Sequence, residues 1–203
     1  MAIADLPDFE NLVTEIPQDV QERGKEIIAK IRENPMSNLF TVMTQLLGDV
    51  LEMIPRLGAD PEVKKALEVK MQPALGRKIF VEITGIDSGS MGITFTIKEL
   101  PELLEYGIGP IEGDIFGVRV KFDDILDVLS SVLEEGKIAP VPEILDFYSR
   151  GKLTIKSPKD LPAFSDLSPL MGASISLLPK INEIRERVDS KGVMFNAVRE
   201  IEL

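Results

Sequence analysis

Neither cysteine nor histidine occurs anywhere in the 203 residues of this chain. Their absence removes disulfides, thiol nucleophiles, Ser-His and Cys-His catalytic pairs, and the usual nitrogen and sulfur ligands of zinc. Any remaining chemistry would rest on carboxylates, lysine, tyrosine or an oxygen-bound magnesium or calcium ion. Positive charge is also scarce: 23 Lys and Arg stand against 34 Asp and Glu, a formal net charge of -11. A surface this acidic repels phosphate backbones and anionic head groups, which argues against a nucleic-acid partner. A long apolar run is missing too. The most hydrophobic segment, Met36 to Pro55, is interrupted by Asn38, Gln45, Gly48, Asp49 and Glu52, whereas a membrane span needs about 20 predominantly apolar residues in a row. The acidic start MAIADLPDFENL does not read as a secretory signal, and no Asn-x-Ser/Thr sequon occurs. The expected location is the cytoplasm, without stable membrane insertion.

What is present is strongly patterned. The length suits one domain with a full core, burying roughly 70% of the surface its unfolded form exposes. We expect residues 1–203 to form a single domain, with 1–17 an irregular N-terminal arm and 158–203 a C-terminal extension. Asp19 is placed to cap a first helix carrying Val20, Ile27, Ile28 and Ile31 on one stripe, ended by Asn34-Pro35. A second helix from Ser37 presents Leu39, Met43, Leu46, Leu47, Val50 and Ile54 on one face with Phe40 and Leu51 beside them. Its apolar arc is broad enough to require cover on most sides. Asp60-Pro61 opens a short helix with Val63, Ala66, Leu67 and Met71.

From Lys78 onward the apolar period falls to two. Ile79, Val81 and Ile83 alternate with polar residues, then Ile93, Phe95 and Ile97, then Phe116, Val118, Val120 and Phe122, and finally Leu153 and Ile155. Strands with one apolar and one polar face describe an α+β fold: a mostly antiparallel four- to five-stranded sheet covered on one face by helices. Between the third and fourth strands, Asp123 or Asp124 is placed to cap a helix burying Ile125, Leu126, Val128, Leu129, Val132 and Leu133, stopped by Gly136. A short helix over Pro142 to Ser149 then runs straight into the last strand through FYSRGKLTIKS. Beyond Ser157 the chain is proline-rich, then apolar to Leu178, then the charged helix INEIRERV. The ending GVMFNAVREIEL reads equally as edge strand or tail.

The motifs with a chemical look have plainer readings. YGIGPIEG has its third glycine one residue late for a dinucleotide fingerprint, Pro110 intrudes and a strand follows, so it reads as a connecting loop. The segment from Asp87 lacks the carboxylates a calcium loop needs and reads as a turn. The pairs Asp123-Asp124 and Glu134-Glu135 sit at helix ends, where capping and solvation explain them better than acid-base work. No spacing demands an enzyme. The polar strand positions Thr94, Thr96, Lys98, Arg119, Lys121, Thr154 and Lys156 form a face that is either wet or docks a partner.

The stretch VRVKFDDILDVLSSVLEEGKI, followed after a short helix by FYSRGKLTIKS, resembles the sterol carrier protein family of small lipid-binding domains. The matching positions are Val118, Val120, Asp123, Asp124, Leu129, Gly136, Lys137, Phe147, Gly151, Lys152, Leu153 and Ile155. The resemblance extends over residues 79–157 in the order of elements, with the second helix similar to the family's cavity-covering helix. It implies a non-enzymatic carrier of an apolar small molecule or lipid, such as a fatty acid, isoprenoid or acyl thioester, with no cofactor. The expected wall comprises Phe40, Met43, Leu47 and Val50 of the second helix, Phe95, Val118, Val120 and Leu153 of the strands, Leu129, and Met171 and Ile175 of the extension. The alternative is the same fold with a solid core, acting as an accessory or homo-oligomeric interaction protein.

Overall fold

The computed structural model describes residues 13–61, 64–65, 72, 75–87, 89–99, 102, 104–113, 115–138, 146, 149–156 and 190–203, with backbone alone at 50, 53–58 and 190–194. Residues 1–12, the apolar positions 63, 66, 67 and 71, and the extension over 157–189 lie outside them.

Helix α1 (Gln18–Glu33) buries Val20, Gly24, Ile27, Ile28 and Ile31, the expected stripe, with Gly24 added because Leu133 lies against it. Asp19 does not cap it. The cap is Pro17, whose extended backbone leads into the helix, and Asp19 lies in the first turn, where its carboxylate still meets the positive helix end. Asn34 closes the helix with its backbone N–H on the Lys30 carbonyl, to which Asn38 also donates from its side chain at 2.7 Å. Helix α2 (Pro35–Ala59) therefore starts at Pro35, a favoured first helical residue, two positions earlier than Ser37.

Five strands form the main sheet: β2 (Lys78–Ile86), β3 (Gly89–Ile97), β4 (Leu104–Gly109), β5 (Phe116–Lys121) and β7 (Leu153–Lys156), ordered β4-β3-β2-β5-β7. The pairings β2–β3, β3–β4 and β5–β7 are antiparallel, and β2–β5 is parallel, so the sheet is mixed. Much of GIDSGSMG is strand, with the reversal confined to the positions around Asp87, whose φ of 46° is left-handed. YGIG is not a loop either. It is most of the edge strand β4, whose Leu104, Tyr106 and Ile108 continue the apolar face of β3.

Helix α3 (Phe122–Glu135) follows β5 without a gap. Lys121 takes the cap position and makes no side-chain cap bond, so Asp123 and Asp124 are first-turn residues rather than caps. Asp124 instead pairs with Lys152 at 2.8 Å, joining the start of α3 to the start of β7. Gly136 ends the helix in the left-handed conformation, φ 68°. The next two residues form β6 (Lys137–Ile138), antiparallel to β1 (Thr14–Glu15). The last residues of the expected arm are thus built in, and Thr14 and Ile16 are buried. The short helix before β7 lies largely outside the described residues. Its end is visible as the Arg150 N–H on the Asp146 carbonyl, followed by Gly151 at φ 67°, which turns the chain into the strand.

The ambiguous C-terminal ending is a helix, α4 (Ser190–Glu200), packed on α1 and α2. Ala197 and Ile201 are buried; Arg199 grips Asp19 at 2.6 and 3.3 Å, Arg23 donates to the Ile201 carbonyl, and Lys30 to that of Leu203 at 2.8 Å. The core joins Ile27, Ile28, Ile31, Leu39 and Val42 of α1 and α2 to Ile83, Ile86, Met91 and Val120 of the sheet, with Phe122, Leu126 and Ile201.

Candidate functional site

Strand register sorts the side chains of the sheet between two faces. On the inner face Ile83 stands beside Met91 and Val120, and Val120 beside Leu153. This end is packed by α1, α2 and α3. Ile83, Met91 and Val120 are each no more than 6% exposed, and Leu153 packs against them. The other end of the same face differs. Ile79, Val81, Phe95, Tyr106, Phe116, Val118 and Ile155 lie in register across all five strands, and each of them is only partly buried. Ile93 and Ile97 of β3, on the same face, flank Phe95 and are fully buried. The face thus carries a core at one end and a half-covered apolar strip at the other.

The expected wall residues divide accordingly. Val120, Leu153 and Met43 belong to or pack on the core. Phe95 and Val118 lie on the half-covered strip, on either side of β2. Leu47 is half-buried on α2. Phe40 is 49% exposed and Leu129 44%, so both present apolar surface to solvent. Val50 is on α2, its side chain outside the described set, and Met171 and Ile175 lie outside the described residues altogether.

The outer face is polar, as the strand alternation predicts. Arg119 and Glu82 form an ion pair there, and Phe80 lies with its ring on Gly117. Strands β4 and β5 both run parallel to β2 but on opposite sides of it. Their connection, residues 110–115, must therefore cross β3 and β2, a lateral distance of three strand spacings or about 14 Å. It crosses on the outer face: the Ile111 side chain occupies the place a Cβ at Gly92 would take. Between crossover and sheet lies an opening of about 480 Å³ lined by Lys78, Thr94, Thr96, Lys98, Glu105 and Glu112 among others. Lys98 and Glu105 pair across it at 2.7 Å. Their hydrogen bond and mutual attraction hold the lysine above its ordinary range and the carboxyl below its own.

No protein-family model matches the chain, and no curated protein does. Among solved structures the chain is similar to one described as "UbiJ-SCP2 Ubiquinone synthesis protein": 15% identity, 73% of this chain and 96% of that one covered, TM-score 0.38. Another is "Sterol Carrier Protein 2 from Yarrowia Lipolytica (apo form)", with 16% identity, 53% and 83% coverage and a TM-score of 0.29.

Among the described residues no group of three or more acidic side chains gathers to hold a metal, and no helix is long and apolar enough to cross a membrane. Sequence reasoning missed the opening on the outer face. Its signal was available in the glycines: Gly92, Gly107, Gly109 and Gly117 all fall on the polar side of strands, where side chains are ordinarily tolerated. Two of them are spaces filled by Ile111 and Phe80, and the other two are left open.

Proposed function

We propose that the protein binds and carries an apolar ligand, a fatty acid, isoprenoid or acyl thioester, against the helix-bearing face of the sheet, without catalysing a reaction. The supporting observation is the strip from Tyr106 through Phe95, Ile79 and Val118 to Ile155. These side chains lie in register on one face, next to a packed core, yet remain partly exposed. An acyl chain laid along such a strip gains roughly 25 cal/mol for each Å² of apolar surface removed from water, so an area of about 300 Å² is worth on the order of 7 kcal/mol before the costs of ordering. Few polar contacts are required. Leu129 on α3, which packs over β2 and β5, adds exposed apolar surface on the same side of the sheet.

The test is native mass spectrometry of gently purified protein together with displacement of a fluorescent fatty acid. Phe95→Glu abolishes uptake by placing a charge on the strip, and Leu129→Glu, at a site exposed enough to tolerate it, weakens uptake while leaving the circular dichroism spectrum and melting temperature near those of the wild type. Protein that takes up no fatty acid, or a Phe95→Glu variant that is folded and binds as the wild type does, defeats the proposal.

A further inference from the structure

The opening lies on the outer face of the sheet and the apolar strip on the inner one, with Tyr106 of β4 bordering both, and the chemistry of the opening is the opposite. Thr94 and Thr96 of β3 line it, and neither makes a hydrogen bond to a described residue. Gly107 of β4 contributes no side chain, and nothing lies within 4 Å of where its Cβ would stand, so the floor stays low. Pro110, Glu112 and Ile115 of the crossover form the overhanging wall. The volume of about 480 Å³ exceeds what a simple inorganic ion fills and falls within the range of small-molecule sites.

Charge narrows the ligand. Four ionic groups line the opening, Lys78 and Lys98 against Glu105 and Glu112, so their formal charges cancel. Lys98 and Glu105 satisfy one another. Lys78 adds only a longer-range attraction to Glu105, and Glu102 a similar one to Lys98. Lys78 and Glu112 make no ion pair with each other or with any described residue. One cation from the sheet and one anion from the crossover are thus left with unspent hydrogen-bonding capacity. A simple anion would face Glu112 and Glu105, a simple cation would face both lysines, and an apolar molecule would strip water from all four.

We propose that this cleft binds a small soluble zwitterion of about dipeptide size, its anionic group on Lys78, its ammonium group on Glu112, and the Thr94 and Thr96 hydroxyls bonding its polar middle. Its polar contacts, Lys78, Glu112, Thr94 and Thr96, are not residues of the apolar strip, so either site can fail without the other.

The experiment is an NMR titration of the uniformly ¹⁵N-labelled full chain with four probes: glycyl-leucine, its N-acetylated form, its C-terminal amide, and glycerophosphocholine. Glycyl-leucine at millimolar concentration shifts the amide signals of Thr94, Thr96 and Gly107, and each blocked form binds about fivefold more weakly or worse, since it offers one charge instead of two. Lys78→Gln and Glu112→Gln each weaken binding about two- to fivefold. Because neither residue has an ion-pair partner to lose among the described residues, both variants keep the wild-type melting temperature. Binding of glycerophosphocholine in place of the dipeptide also supports a zwitterion site and assigns its source to a lipid headgroup. Equal binding of blocked and unblocked dipeptide, shifts confined to other parts of the chain, or no shifts with any probe overturns the proposal.

Discussion

Gly117 is where the packing of the sheet is most sensitive to a single methyl group. It lies in β5 opposite Phe80 of β2, and a Cβ built there falls on both the Phe80 ring and the Phe80 carbonyl oxygen. The ring has no room to rotate aside, being buried to 3% exposure; the carbonyl moves only if β2 and β5, the parallel pair of the sheet, separate. Overpacking of this kind costs about 1–3 kcal/mol, and obstruction by backbone puts Gly117→Ala in the upper half of that range. Against it stands a gain of roughly 0.5–1 kcal/mol from restricting the unfolded chain. The net expectation is a loss of about 2 kcal/mol, a fall in Tm of roughly 4–8 °C for a chain of this size. Gly107→Ala supplies the control. It is the same chemical change on the same face of the sheet, but nothing lies within 4 Å of the new methyl group, so only the gain remains and Tm holds or rises slightly. Urea denaturation and thermal melts followed by circular dichroism measure both. If Gly117→Ala melts at or above the wild type, or if the two variants move together, the close approach of Phe80 to Gly117 is not what holds this part of the sheet.

Three further outcomes follow from other contacts. Gly136→Ala forces a left-handed residue to carry a side chain and brings it 2.9 Å from the Gln21 amide nitrogen, which itself donates to the Ile16 carbonyl; a loss of about 1–2 kcal/mol in urea denaturation is expected, with loosening of β1 visible in amide exchange. Asp124→Asn removes the ion pair to Lys152, whose partners are 20% and 33% exposed, and a negative charge from the first turn of α3; together these contribute about 1 kcal/mol, measurable as a lower denaturation midpoint. The Arg199 guanidinium holds Asp19 below its ordinary value of 3.8. Because the folded-state value is the lower one, this contact stabilises the fold above the ordinary carboxylate range and is lost as pH falls below it. Amide exchange at Ala197 and Val198 therefore accelerates at acid pH relative to the rest of the molecule, and Asp19→Asn removes that difference; a pH-independent pattern in the wild type would show that α4 is held by packing alone.

The strand alternation from Ile79 to Ile97 and from Phe116 to Lys121, the stripe of α1, and the glycine stop at Gly136 were all readable because each is a local property, a repeat of two or 3.6 residues or a backbone angle that glycine favours, whereas Phe122, read as a strand residue, opens α3. The same alternation separated the inner from the outer face before any pairing was known. What failed locally were the caps. Asp19 and Asp123 have the right residue type, but Pro17 and the unbroken run from β5 into α3 begin those helices elsewhere, and both aspartates sit in the first turn instead.

Residues 106–109 looked like a loop because their two glycines, Gly107 and Gly109, lower strand propensity, and the pairing of β4 with β3 overrides that propensity once the partner strand is present. The C-terminal helix was ambiguous for a related reason: its position depends on Asp19, Arg23 and Lys30, between 170 and 180 residues away in the chain. Sequence alone determined the class of the fold and which side of each strand is apolar, since side-chain direction alternates whatever the neighbours are. Only the tertiary structure decided the strand order, and with it the crossover over the outer face, the half-covered strip on the inner face, and the cleft between Lys78 and Glu112. Those features come from elements meeting at distances no local period encodes.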